Sequence, residues 1–159
     1  MPSSPRPQRS LPPVVHLAAE YYPYARTGGL AEAVAGLATF QQRSGQRAVA
    51  FLPLYRSVRE KARELVPFGE PFGVQVGPQL EVAQLFRVDP STPGPEVYAI
   101  AHPHFYDREG IYGDGNGDFP DNARRFGFLV LAALAALPRF VSGPAILHAH
   151  DWHAALAPV

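Results

Sequence analysis

Three stretches of this sequence carry side chains that can do chemistry. The first is Arg26-Thr27-Gly28-Gly29-Leu30. Paired glycines let a backbone come close to a ligand, and a helix starting there would offer free N–H groups to an anion. Arg26 adds a fixed charge whose forked geometry suits phosphate. The spacing is neither a P-loop nor G-x-G-x-x-G, and a tight turn beside a solvated arginine is the plain alternative. The second stretch is Asp118-Phe119-Pro120-Asp121-Asn122, behind a loop with Tyr106, Arg108, Tyr112 and Asp114. Capping of a following helix by Asp121 or Asn122 is the simplest single explanation, with Asp121 favoured by the helix dipole. A cap does not require the preceding rings, carboxylates and arginine, which together suit a carbohydrate site. The third is His148-Ala149-His150-Asp151-Trp152-His153. On a strand, His148 and His150 point to one side, so a metal site using His148, His150 and His153 is one reading. Polar residues at the mouth of a parallel sheet, where ligands collect, fit better.

These stretches need elements to position them. Residues 14–19 form a short apolar run that reads as a buried strand. Leu30, Val34, Leu37 and Ala38 then mark one face of a helix that Gly45 can stop, and residues 48–52 make a second buried strand. Strand, glycine-containing loop, helix and strand form a βαβ unit, which implies a parallel sheet with a right-handed crossover. Residues 56–65 read as a short polar helix. Between Phe68 and Ile100, Gly-Pro, Asp-Pro and Pro-Gly-Pro signals divide short apolar runs into several strands joined by turns. Residues 102–121 form a long loop of the functional kind. Residues 122–137 form a helix, with Phe126, Leu129, Val130, Ala133, Leu134 and Leu137 in period, and residues 145–149 form another buried strand. The fold class expected is α/β: a Rossmann-like, doubly wound, mainly parallel sheet with a strand-rich insertion.

Composition narrows the function. With 159 residues the chain is long enough for one domain. Its 14 basic and 14 acidic side chains cancel, which argues against a nucleic-acid coat or an anionic membrane as partner. With no cysteine, disulfides, thiolate ligands and a cysteine nucleophile are excluded. No apolar run reaches the roughly 18 residues of a membrane span. A cytoplasmic protein is expected, with residues 1–10 as a disordered leader and residues 11–159 as a domain incomplete at its C-terminus, because the chain stops in an apolar segment without a helix stop signal.

Four motifs, in order, resemble the bacterial glycogen synthase and plant starch synthase family. Residues 20–30 are similar to its E-x-x-P-x-x-K-x-G-G-L segment, and residues 105–114 to its F-D-R-x-G-x-Y-G segment. Asp121-Asn122-Ala123-Arg124-Arg125-Phe126 matches D-N-x-x-R-F, and His150-Asp151-Trp152-His153 matches H-D-W-H/Q. Gly45, Pro53 and Tyr55 also fall on the family's pattern. The resemblance implies the N-terminal half of a GT-B glycosyltransferase that moves glucose from ADP-glucose to the end of an α-1,4-glucan with retention. It implies no metal ion and no cofactor beyond the donor itself. It implies donor binding by Arg26, Gly28 and Gly29, acceptor binding by Asp121, Asn122 and Tyr112, and catalytic positions at His150 and Asp121. Glu20 matches a motif acid to which no role is assigned. The chain departs from the pattern at Arg26, where lysine is usual, at Glu32, where aspartate is usual, and at Ala38, where many members have proline. The second GT-B domain lies outside the chain, so the chain alone is expected to be inactive; a glucan-binding or regulatory module is the alternative.

Overall fold

The computed structural model describes residues 11–159; the expected leader, residues 1–10, lies outside the described residues. The first strand, β1 (Val14–Leu17), is wholly buried. It lies between β2 (Ala48–Pro53) and β8 (Ile146–Ala149) and is parallel to both, with His16 opposite Ala50 on one side and His148 on the other. A strand paired on both edges and covered on both faces needs a continuous apolar run, which is why His16 stands out within it. Helix α1 (Leu30–Arg43) buries Ala31, Val34 and Ala38. The chain turns out of it through Ser44 into Gly45, at φ 84°, the left-handed conformation in which glycine carries no steric penalty.

After β2 comes α2 (Arg56–Lys61), shorter than the expected helix over residues 56–65. Leu65 already opens β3 (Leu65–Val76), and the Asp89 carboxylate accepts from Glu64 N at 2.8 Å, which holds the connection extended. The strands expected next are found with their turns where the proline signals fall, but they are longer: β3, which opens at Leu65, and β4 (Gln79–Val88) form a hairpin of 12 and 10 residues. Gly69 and Pro71 sit at a register shift between Phe68 and Phe72 within β3, and Gly77 of the expected Gly-Pro turn, at φ 59°, makes the reversal. Strand β4 pairs antiparallel with β5 (Glu96–Ala101), so the strand-rich segment extends the main sheet. The remaining elements are α3 (Pro103–Tyr106), a two-residue ladder of β6 (Gly113–Asp114) and β7 (Gly117–Asp118), and α4 (Asn122–Ala136) before β8.

The sheet order is β3-β4-β5-β2-β1-β8, parallel from β5 to β8. The crossovers β1–α1–β2 and β5–α4–β8 run in opposite directions across it. Right-handed crossovers therefore place α1 and α4 on opposite faces, the doubly wound arrangement. Strand β8 is only partly buried, unlike the fully buried strand expected, because it has β1 on one side alone. The order reverses between β1 and β8, and beyond their carboxyl ends a crevice is expected. Residues 18–29 and 150–154 emerge there. Among the described residues, no helix is long and apolar enough to cross a membrane.

Candidate functional site

Glu20 follows the carboxyl end of β1 and holds the loops there together. It is 3% exposed, and its carboxylate accepts four hydrogen bonds. Oε2 takes Thr27 N at 2.7 Å and Gly28 N at 3.3 Å, while Oε1 takes Thr27 Oγ1 at 2.7 Å and Tyr112 Oη at 2.6 Å. Burial alone would raise its pKa, but the bonds from Tyr112, Thr27 and Gly28 outweigh that and hold it below the usual carboxylate range. Glu20 thus ties the loop before α1 to the loop 102–121. Gly28 and Gly29 are exposed, neither has a positive φ, and a Cβ on either would meet nothing within 4 Å. The fold itself does not require glycine at either place. Arg26 is exposed and pairs with Glu32 at 2.9 Å, so two departures from the family pattern contact each other.

Tyr112 has its hydroxyl committed to Glu20. Burial first, then the carboxylate beside it, raises its pKa far above the ordinary phenol range. Its carbonyl accepts from Asn122 Nδ2 at 2.7 Å, and its ring stacks on His153 at 4.7 Å. Asn122 therefore positions the loop through Tyr112. Asp121 is the N-cap residue of α4, as expected, but its side chain makes no capping bond. Both carboxylate oxygens instead accept from the Arg108 fork at 2.7 and 2.6 Å, which lowers its pKa. A paired guanidinium is a stronger partner than one backbone N–H, so the ion pair wins over the cap. Arg108 stands between two clefts. One, of about 560 Å³, is lined by Arg26, Thr27, Tyr55 and Arg56 together with Arg108. The other, of about 550 Å³, is lined by Gln79, Glu81, His104, Arg124 and Asp121.

Arg125 shapes the loop from below. It is fully buried, with Nε donating to Phe105 O at 2.7 Å and Nη1 to Ile111 O at 3.1 Å. Tyr106 Oη returns a bond to the Arg125 carbonyl at 2.7 Å, and the guanidinium lies 4.9 Å from the Phe119 ring. Burial lowers its pKa from the ordinary arginine value.

His150 lies on the far side of the crevice, after β8, with its N–H on Leu17 O at 3.0 Å. Its ring stacks on His148 at 4.0 Å, and its Nε2 is 2.8 Å from His16 Nδ1. His16 Nε2 in turn donates to Gln41 Oε1 of α1 at 2.7 Å. The histidines that meet are thus His16, His148 and His150. His153 stands apart from them, stacked on Tyr112 and packed against Phe126, because residue 151 leaves the strand at φ 62°. Burial lowers the pKa of His150 from 6.5 to about 4, helped by the neighbouring rings, and lowers that of His16. The folded chain therefore holds fewer protons on these rings than the unfolded chain, so acidification favours unfolding. Stability is expected to fall as pH drops from about 6.5 toward 4, by about 1.4 kcal/mol per pH unit for each ring titrating only when unfolded. Urea melts across this range check it, and His150→Phe, which keeps the stacking, should flatten the slope.

The structure joins Gly28, Tyr112 and Asn122 through Glu20 in one hydrogen-bonded chain, with Arg26 and Gly29 on the same loop. Asp121 stands next to Asn122 but is paired with Arg108, and His150 is linked by the turn that stacks His153 on Tyr112. The sequence marks neither His16 nor Arg125 as a site residue, and Arg108 only as one of the loop residues suited to a carbohydrate site. The only signal for His16 was a polar residue inside an otherwise apolar strand.

Residues 13–159 match the starch synthase catalytic domain family. The chain is 39% identical over 141 residues to a glycogen synthase of Syntrophotalea carbinolica, covering 89% of this chain and 29% of that protein. It is 36% identical over 151 residues to a glycogen synthase of Opitutus terrae, covering 92% and 30%. Among solved structures it is similar to the catalytic domain of starch synthase IV from Arabidopsis thaliana bound to ADP and acarbose. That match has a TM-score of 0.78 and 32% identity, and covers 92% of this chain and 29% of the other. The chain spans about 30% of the length of the curated relatives it matches.

Proposed function

The chain belongs to the starch synthase catalytic domain family, and from that premise we propose that it forms the acceptor-side wall of a retaining glucosyltransferase, working with a second domain to move glucose from ADP-glucose to an α-1,4-glucan. The observation that carries this reading is the Glu20 clamp. A buried carboxylate holds Thr27 and Gly28, and the Gly28–Gly29 backbone and Arg26 beside them are exposed. In this reading those three groups meet the donor's diphosphate, where backbone N–H groups and a guanidinium stabilise charge leaving with the nucleotide. Tyr112, Asn122 and Asp121 form the acceptor side, the first two by shaping the loop and Asp121 by accepting from sugar hydroxyls beside its arginine. His150, neutral at pH 7 because of its low pKa, offers a hydrogen bond next to the transferred glucosyl unit rather than a charge. No step of this reading needs a metal ion or a further cofactor. The neutral chain and the uncharged acceptor fit a cytoplasmic enzyme with neither nucleic acid nor membrane as partner.

The acceptor side can be tested on the chain itself. Trp152, the sole tryptophan, is 54% exposed and lies 6.2 Å from the Tyr112 ring, so its fluorescence reports on the crevice. Malto-oligosaccharide is expected to change that fluorescence saturably, and Asp121→Asn to weaken binding about tenfold, the equivalent of one charge-assisted hydrogen bond. An unchanged signal, together with unretarded migration through glycogen-containing gels, would count against it.

A further inference from the structure

His16, His148 and His150 place three imidazoles where one ion can reach them all. Register puts His16 directly opposite His148, so β1 and β8 deliver these two rings to the face under α1, and His150, the residue after β8, stacks on both. Each offers a ring nitrogen, and these nitrogens all lie within 4.8 Å of one another. Ligand nitrogens about 2.0–2.1 Å from a tetrahedral zinc stand about 3.4 Å apart, so small ring movements close the set. The tautomer is already prepared. Gln41 Oε1 can only accept, so His16 Nε2 carries its proton, and His16 Nδ1 turns a lone pair toward His150 Nε2. Metal-binding histidines commonly donate their far N–H to a carbonyl oxygen in this way, which fixes the ring and its tautomer. No carboxylate belongs to the set, which disfavours calcium and magnesium and suits borderline ions that prefer imidazole.

We propose that His16, His148 and His150 form a binding site for one divalent transition-metal ion of the zinc, nickel or cobalt class, with Gln41 orienting His16. The ion takes the place of the proton between His16 and His150, that proton moving from His150 Nε2 to its Nδ1, and leaves a fourth position open. It plays no part in glucosyl transfer. Its consequence is to withdraw His150 from the crevice, and that consequence alone rests on the function proposed above.

The test is calorimetric titration of the chain with zinc chloride at neutral pH, beside NMR of the imidazole rings. One ion is expected to bind per chain, shifting the ring signals of His16, His148 and His150 while those of His102, His104 and His153 stay in place. His148→Phe, which keeps the ring stack and removes both nitrogens, should weaken binding at least tenfold. Gln41→Ala should weaken it by about tenfold, as loss of an outer-shell partner does. Absence of binding, a different set of shifted rings, or unchanged affinity in folded His148→Phe would each overturn the site. The ring-signal arm uses the unaltered chain, so it decides the matter even where a variant does not fold. Glucan binding by the same chain, measured without metal, fails or succeeds independently.

Discussion

Glu20→Ala is expected to remove about 3–5 kcal/mol of stability and to free the loop before α1. The carboxylate is buried and accepts from two backbone N–H groups and two hydroxyls. Each charge-assisted bond contributes about 1.5–3 kcal/mol, and alanine leaves donors unpaired in a site that water must refill. Glu20→Gln should fall between wild type and alanine. Its amide oxygen can face the N–H groups of Thr27 and Gly28 while its NH2 faces the two hydroxyls, which are able to accept. Pairing survives there, and charge assistance is lost. Total stability for a domain is about 5–15 kcal/mol, so the alanine effect will be plain in a denaturant melt. Hydrogen exchange separates a clamp from a merely buried group. The amides of Thr27 and Gly28 should lose protection in the alanine variant, and wild-type exchange there would refute the clamp.

Arg125→Met is expected to cost about 2–4 kcal/mol and to loosen residues 102–121. Two effects oppose each other. Removing the guanidinium relieves the penalty of a buried charge with no carboxylate in direct contact, which on its own favours methionine. Against it, the carbonyls of Phe105 and Ile111 and the side chain of Asn122 lose their donors inside a packed core. The second effect wins because three acceptors are orphaned at once and methionine satisfies none. Arg125→Lys should recover little, since one ammonium on a flexible stem cannot reproduce the planar fork. Ile111 precedes Tyr112, so the loss passes to the bond between Tyr112 and Glu20. The double variant with Glu20→Ala should therefore cost less than the sum of the singles, which melts of all four proteins will measure. Full additivity would mean that loop and clamp are independent.

What could be read from the sequence follows from how local each feature is. Gly45, the stripe of α1, the long α4 and the strands β1 and β2 depend on residues within a few positions, and pattern alone places them. The β3–β4 hairpin is legible in its Gly77-Pro78 turn, whereas the run of β3 through Gly69 and Pro71 is not, because pairing with β4 absorbs them as an irregularity within one strand. Asp121 was placed rightly at the start of α4 and wrongly as a side-chain cap, because Arg108, thirteen residues earlier, outcompetes the local N–H. Motif resemblance located Glu20 and His150, but their partners come from register. His16 and His150 are 134 residues apart, and Tyr112 and Glu20 are 92 apart. No spacing in the chain announces either pair. Arg125 sat inside a recognised motif, yet its burial shows only once the loop folds over it.

The central claim is that this chain supplies one wall of a two-walled glucosyl-transfer site. Transfer requires donor phosphates gripped from both sides and water excluded, which one wall cannot do. The most direct measurement is incorporation of labelled glucose from ADP-glucose into glycogen. It is made with the purified 159-residue chain and with the same chain joined to the C-terminal part of the Syntrophotalea carbinolica glycogen synthase. A one-walled site gives no incorporation by the chain alone and incorporation with retained configuration by the joined protein, abolished by Arg26→Ala. Incorporation by the isolated chain would contradict the claim, and so would a folded joined protein that binds glycogen but transfers nothing, which would leave a glucan-binding module in its place.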